Sequence, residues 1–142
     1  MPKITTFVTS ASYGLLACIT AVALTGKVVA QEALLERGIA EYQSGNQYAA
    51  LQSLSTYVNA NSRDFRGYFW RSQLFIRTSS NDNALNDLNR VIELSPENPD
   101  AHYLRGVVLM IKGERVNACR DLVRASELGQ KMARGEVKKY CS

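Results

Sequence analysis

Two cysteines, Cys119 and Cys141, one histidine, His102, and two arginine–aspartate pairs, Arg71 with Asp87 and Arg105 with Asp121, are the side chains whose type and spacing could do chemistry. In an oxidising compartment the cysteines can close a disulfide; the other reading is two buried free thiols. Each aspartate follows its arginine by sixteen residues. That register suits ion pairs clipping one helix to another, or else arginines on a wet face where pairing contributes little. A lone histidine is a packed or hydrogen-bonded side chain far more readily than a metal ligand or base. The sequence holds no readable carboxylate pair, Cys/His cluster, nucleophile with its base or phosphate-binding loop, so no catalysis, cofactor or metal is expected.

The elements that must position these groups announce themselves by repetition. Gly38, Ser72 and Gly106 are separated by a constant interval of 34 residues, as are Ala50, Ala84 and Ala118, then Leu54, Leu88 and Leu122, and also Arg37, Arg71 and Arg105. A period of that length describes stacked helical pairs, none of which can bury its apolar face alone. The fold class is therefore all-α, and the pattern is that of a scaffold. Small residues at 38 and 50 let paired helices approach closely where they cross.

Residues 1–30 stand apart from this pattern. Met1 to Lys3 is a short basic start, Tyr13 to Leu24 is an apolar run, and Gly26 leads to Val28-Val29-Ala30. This is the layout of a secretory signal peptide cut after Ala30. Two other arrangements compete with it: a lipoprotein tethered through Cys18, after Leu15-Leu16-Ala17, and an uncleaved anchor from about Phe7 to Ala30. All three place the repeats outside the cytoplasm, with the periplasm expected and membrane contact only through this segment. Losing Lys3 and Lys27, and no acid, lowers the formal charge from +4 to +2. Residues 101–142 still carry nine Lys or Arg against four Asp or Glu. That could attract an acidic partner, or it is a solvated helical face. Nucleic acid is not expected of an exported chain without a recognition motif.

In chain order the apolar spacing predicts helices over 31–44, 47–60, 65–78, 82–94, 99 to 111 or 112, 115–128 and 131–141. Ser44-Gly45-Asn46, Ser79-Ser80-Asn81, Ser95-Pro96, Gly113 and Gly129 break them. Asp64 is placed to cap the third helix, and Pro99 suits a first helical position. The units are approximately 31–64, 65–98 and 99–130. Residues 131–142 form a last helix that caps the exposed end, with Met132, Ala133, Val137 and Tyr140 on its apolar face.

This pattern resembles the tetratricopeptide repeat, with its small residue in helix A, alanine in helix B and proline at the repeat junction, here Pro96. The resemblance covers 31–128 as three repeats, followed by the capping helix. The sequence departs from it at Glu41, which occupies a usually apolar position, at Ser62 and Gln130, which replace junction prolines, and at Ser53, which replaces the first aspartate and leaves Arg37 without its expected acid. The resemblance implies a concave groove that binds a peptide or protein, formed by Leu35, Ile39, Tyr42, Phe69, Trp70, Gln73, Ile76, Arg77, Tyr103, Val107 and Met110; some of these could instead only pack one repeat on the next. Positions that grip a C-terminal carboxylate in some members hold Leu35, Ile39, Trp70, Asp100 and Leu104, so no such clamp is expected. Exported bacterial members often place cysteines as Cys119 and Cys141 stand. The function implied is a non-catalytic adaptor in the envelope. The alternative is a self-associating structural component, a homo-oligomer whose groove is filled by a second copy.

Overall fold

A computed structural model describes the backbone of residues 11–141 and side chains from Gly26 onward. Met1 to Lys3 and the side chains of Tyr13 to Leu24, Cys18 among them, lie outside the described residues. The residues up to Ala33 and those from Leu34 onward form two compact units. Among the described residues there are seven helices and no strand: α1 (Ala11–Gln43), α2 (Gln47–Ala60), α3 (Phe65–Arg77), α4 (Asn81–Leu94), α5 (Pro99–Ile111), α6 (Arg115–Glu127) and α7 (Lys131–Tyr140). No helix among them is long and apolar enough to cross a membrane. The all-α class expected from the sequence is the class found. Six helices fall within a residue of their predicted ends. The first begins at Ala11 instead of 31, because one interior glycine, Gly26, costs only about 1 kcal/mol against alanine and does not stop a helix.

Local chemistry ends each helix where the sequence placed a break. The carboxylate of Asp64 accepts from Arg66 N at 2.9 Å, and Asn98 Oδ1 accepts from Ala101 N at 2.9 Å ahead of Pro99. Both satisfy donors that a helix start leaves unpaired. Gly45 and Gly113 turn the chain between paired helices at φ 84° and 81°. Ser79 makes the same turn in the second unit at φ 57°.

Packing explains the 34-residue interval. Ala50, Ala84 and Ala118 are 0% exposed, and a Cβ on Gly38 would stand 2.8 Å from Leu54 Cδ2. On Gly106 it would stand 2.9 Å from Leu122 Cγ. The first and third helix pairs therefore cross where the side chain is missing, and the second crosses at the small, fully buried Ser72. Gly67 is equally confined, its Cβ falling 2.6 Å from Tyr57 Cδ1; this contact joins α3 to α2 across a repeat boundary, and the sequence reading did not single it out. Leu88, Val91, Ala101 and Val108 form the main core with Ala84, and Leu35, Leu54 and Tyr57 form a second one under the first repeat. Cutting Leu88 to alanine would cost roughly 2–5 kcal/mol.

Candidate partner-binding groove

The first helix of each pair carries the groove positions, and the structure divides them into three sets. Leu35 is 3% exposed, packed with Leu54 and Tyr57. It presents nothing to a ligand, which corrects its assignment as a groove residue: its position on α1 faces the α2 partner across the Gly38 crossing. Ile39 and Trp70 pack on that same small core, and Phe69 and Ile76 on the main one, each keeping part of its surface exposed. Gln73, Tyr103, Val107 and Met110 are half-buried along α3 and α5.

Tyr42 and Arg77 belong to the joint between the first two repeats. The Tyr42 and Trp70 rings meet edge to face at 5.7 Å, and Trp70 meets Phe69 at 6.2 Å. Arg77 lies 5.0 Å above the Tyr42 ring, and its Nη1 donates to the Tyr42 carbonyl at 2.8 Å. A cation over an aromatic face combined with a charge-assisted hydrogen bond holds the two helices in register. At the other end Val107 and Met110 line a cavity of ≈ 240 Å³ with Leu122, Glu136 and Tyr140. The wall supplied by α7 was missed by the sequence reading, although Tyr140 had been placed on the apolar face of that helix.

The arginine register forms a ladder along the second helices of the pairs. Arg71 Nε and Nη2 each donate to Asp87 at 2.8 Å, and Nη1 donates to Ser55 at 3.4 Å. Arg105 repeats this, donating from Nε and Nη2 to Asp121 at 2.7 and 2.8 Å and from Nη1 to Asn89 at 2.8 Å. Each guanidinium thus spans helix B of its own repeat and helix B of the preceding one. Asp87 and Asp121 are buried, so these pairs lie away from the wet face. The Asp87 carboxylate raises the Arg71 pKa further, against burial. Arg37 is not left without an acid: its Nε donates to Glu41 Oε1 at 2.9 Å, and Ser53 Oγ donates to Glu41 Oε2 at 2.6 Å. The serine hydroxyl first, then the guanidinium, hold the Glu41 carboxyl below its usual value. Glu41 and Ser53, the two departures from pattern in the first repeat, therefore answer one another.

His102 is 7% exposed; Nδ1 lies 3.2 Å from Asp121 Oδ1 and Nε2 lies 2.9 Å from the Pro96 carbonyl. With both ring nitrogens engaged it is a structural group. Among the described residues no cluster of His, Cys, Asp or Glu could hold a metal ion. Cys119 and Cys141 are bonded, with Cα atoms 5.5 Å apart, and fasten α6 to the end of α7. Arg115 Nη2 reinforces that joint by donating to the Tyr140 carbonyl at 2.6 Å.

The TPR repeat family model matches residues 73–113, from α3 through α5. No curated protein matches the chain in sequence. Among solved structures, the first TPR of Spaghetti (RPAP3), bound to an HSP90 peptide, superposes with a TM-score of 0.74 at 20% identity, covering 78% of this chain and 90% of that one. The Arabidopsis OM64 TPR domain gives 0.74 at 21%, covering 78% and 93%. The Yersinia enterocolitica type III secretion chaperone SycD, in complex with a peptide of the translocator YopD, gives 0.67 at 21%, covering 76% and 81%. The fold is the tetratricopeptide repeat. Three repeats and a capping helix account for the helical pairs, and the positions that the resemblance assigns to a groove lie on α1, α3 and α5.

Proposed function

We propose that the chain is a non-catalytic scaffold that binds a peptide or protein segment in its tetratricopeptide groove, in the cell envelope after export to the periplasm. The observation that carries this reading is the half-exposed row Gln73, Tyr103, Val107 and Met110, which ends in the apolar cavity closed by Tyr140. Aromatic and methionine side chains that keep free surface beside a cavity are anchors for an apolar ligand segment. Two structural neighbours, the RPAP3 domain and SycD, hold peptides, which supports the same use here. The carboxylate grip of some family members is not built here: Leu35 is buried, Leu104 packs on the core, and Asp100 accepts from Gln130 Nε2. No cation set for a terminal carboxylate stands in the groove, so the ligand is an internal apolar or aromatic segment.

The test is a peptide array probed with the wild type and a Tyr103→Ala/Met110→Ala variant. These two residues serve better than Phe69 and Trp70, whose truncation would also damage the cores. Peptides rich in Phe, Leu or Met should bind the wild type and lose at least tenfold, about 1.4 kcal/mol, with the variant. Equal binding by both proteins would sink the proposal. Export is tested separately by N-terminal sequencing of the mature protein, which should begin at Gln31.

A further inference from the structure

We infer that the outer flank of α6 is a second binding surface, independent of the groove, which takes one amphipathic helix with an acidic rim from a partner protein. The inference comes from comparing successive repeats. On the second repeat the equivalent flank of α4 shares a cavity of ≈ 310 Å³ with the next helical pair: Leu85 and Asn89 line it together with Asn117 and Arg120 of α6 and Glu114 at its N-cap, and Asp82 pairs with Lys112. One interval later, α7 takes the place of a fourth unit's first helix, bringing Lys139 to the register of Arg71 and Arg105. The outer flank of α6 faces a cavity of ≈ 630 Å³.

The residues on that flank have changed in the direction a partner requires. Asp82, Leu85 and Asn89 of α4 correspond to Val116, Cys119 and Val123 of α6. Two polar residues have become valines where the flank is most accessible, Val116 at 77% and Val123 at 39% exposed. Cys119 and Cys141 line the cavity between them, so the disulfide adds to its apolar floor.

Charge decides the class of occupant. Arg105, Arg120 and Arg124 line the same cavity, against Asp121, which Arg105 already engages, and Glu127, which lies 3.3 Å from Arg124. An apolar stripe beside exposed guanidinium groups fits a helix whose small or aliphatic face is flanked by Glu or Asp. A second copy related by a twofold axis would instead bring Arg120 and Arg124 toward their own equivalents, a like-charge arrangement that disfavours association.

The experiment uses two fluorescent, lactam-stapled 16-residue helices with the same Ala/Leu face, one flanked by glutamates and the other by lysines, titrated into the full chain with anisotropy as the readout. The Glu helix should bind at least tenfold tighter than the Lys helix and weaken with added salt. Arg120→Glu/Arg124→Glu should reverse that preference, and Val123→Asp should weaken the Glu helix about tenfold. Tyr103→Ala/Met110→Ala should leave it unchanged, which separates this surface from the groove. Unaltered helical circular dichroism of each variant establishes that it is folded. Failure of both helices to bind, equal binding of the two, or loss of binding in the Tyr103→Ala/Met110→Ala variant would overturn the inference. A concentration-dependent dimer abolished by Val123→Asp would also overturn it, by assigning the flank to a second copy.

Discussion

At the third repeat Arg105 lies against Asp121, which is 5% exposed and also faces His102, whereas at the first Arg37 has 69% of its side chain exposed and reaches Glu41 on its own helix. The same arginine register is thus served by a buried, bidentate acid in one repeat and by a wet, relayed one in the other. Burial makes the difference, because a charge pair screened by water contributes little while one removed from water becomes costly to break. The third repeat has the disulfide in addition, and Gln130 bridges back to Asp100. The two ends of the solenoid should therefore differ in stability, with the first repeat opening more readily.

The largest test of that difference is Asp121→Ala. It leaves Arg105 and His102 without their shared acceptor and should cost about 3–5 kcal/mol in urea unfolding. Asp87→Ala, which releases a single cation, should cost less, and Ser53→Ala least of the three. Equal losses for all three would dissolve the distinction. Removing the disulfide as Cys119→Ala/Cys141→Ala opens a loop with a sequence separation of 22 and should cost about 3 kcal/mol. Hydrogen exchange should show that loss in α6 and α7 and leave α2 untouched.

How much of this was legible beforehand follows from what kind of contact each residue makes. The 34-residue interval revealed the helical pairs, because Ala50, Ala84 and Ala118 do the same local job and must be small. Arg71 with Asp87 and Arg105 with Asp121 were readable for the same reason: they recur. Leu35 was assigned to the groove by resemblance alone, and a position carried over from a family does not report how far its side chain is turned into this chain's own core, where Leu35 is 3% exposed. Glu41 was taken as a mere departure from pattern, since its partnership with Ser53 occurs once and leaves no periodic trace. The α7 wall of the groove and Gly67 were missed likewise, because contacts across a repeat boundary are specific to that boundary.

Exchanging the first repeat's arrangement for the others' sharpens the comparison. Ser53→Asp alone sets a second carboxylate beside Glu41 and should lower the melting temperature. Adding Glu41→Leu removes the conflict and gives Arg37 the acid sixteen residues on that Arg71 and Arg105 have. The double variant should melt above the Ser53→Asp single variant, a non-additive result that a double-mutant cycle reads directly. Additive effects would mean that Glu41 and Ser53 are not a coupled unit.

A smaller effect separates the first and second repeats by pH. Asp64 follows α2, accepting from Tyr57 Oη at 2.6 Å and from Arg66 Nη2 at 2.6 Å. Burial pushes its carboxyl up, but these hydrogen bonds outweigh it and hold the value at about 2, below the usual 3.8. A folded-state value below the unfolded one means that the stabilisation is complete above about 4 and is lost as pH falls through about 2. Asp64→Asn should lower the melting temperature above about pH 4, where the stabilisation is complete, and flatten its decline as pH falls through that window. An unchanged acid limb would place the acid sensitivity elsewhere.

The smallest expected effect lies in the turns within the repeats, where the second repeat is the exception. Gly45 and Gly113 take positive φ without a steric penalty, while Ser79, midway between them in register, holds φ 57° against its own Cβ. Ser79→Gly should therefore raise stability by about 0.5–1 kcal/mol, part of the relieved strain being offset by the greater freedom of glycine in the unfolded chain. Gly113→Ser, which creates the same strain in the third repeat, should lower it by a similar amount. If both substitutions destabilise, Ser79 is held by more than its backbone. Its neighbours Thr78 and Ser80, whose hydroxyls lie 3.3 Å apart, then become the place to look for a turn fixed by side chains instead of by conformational freedom.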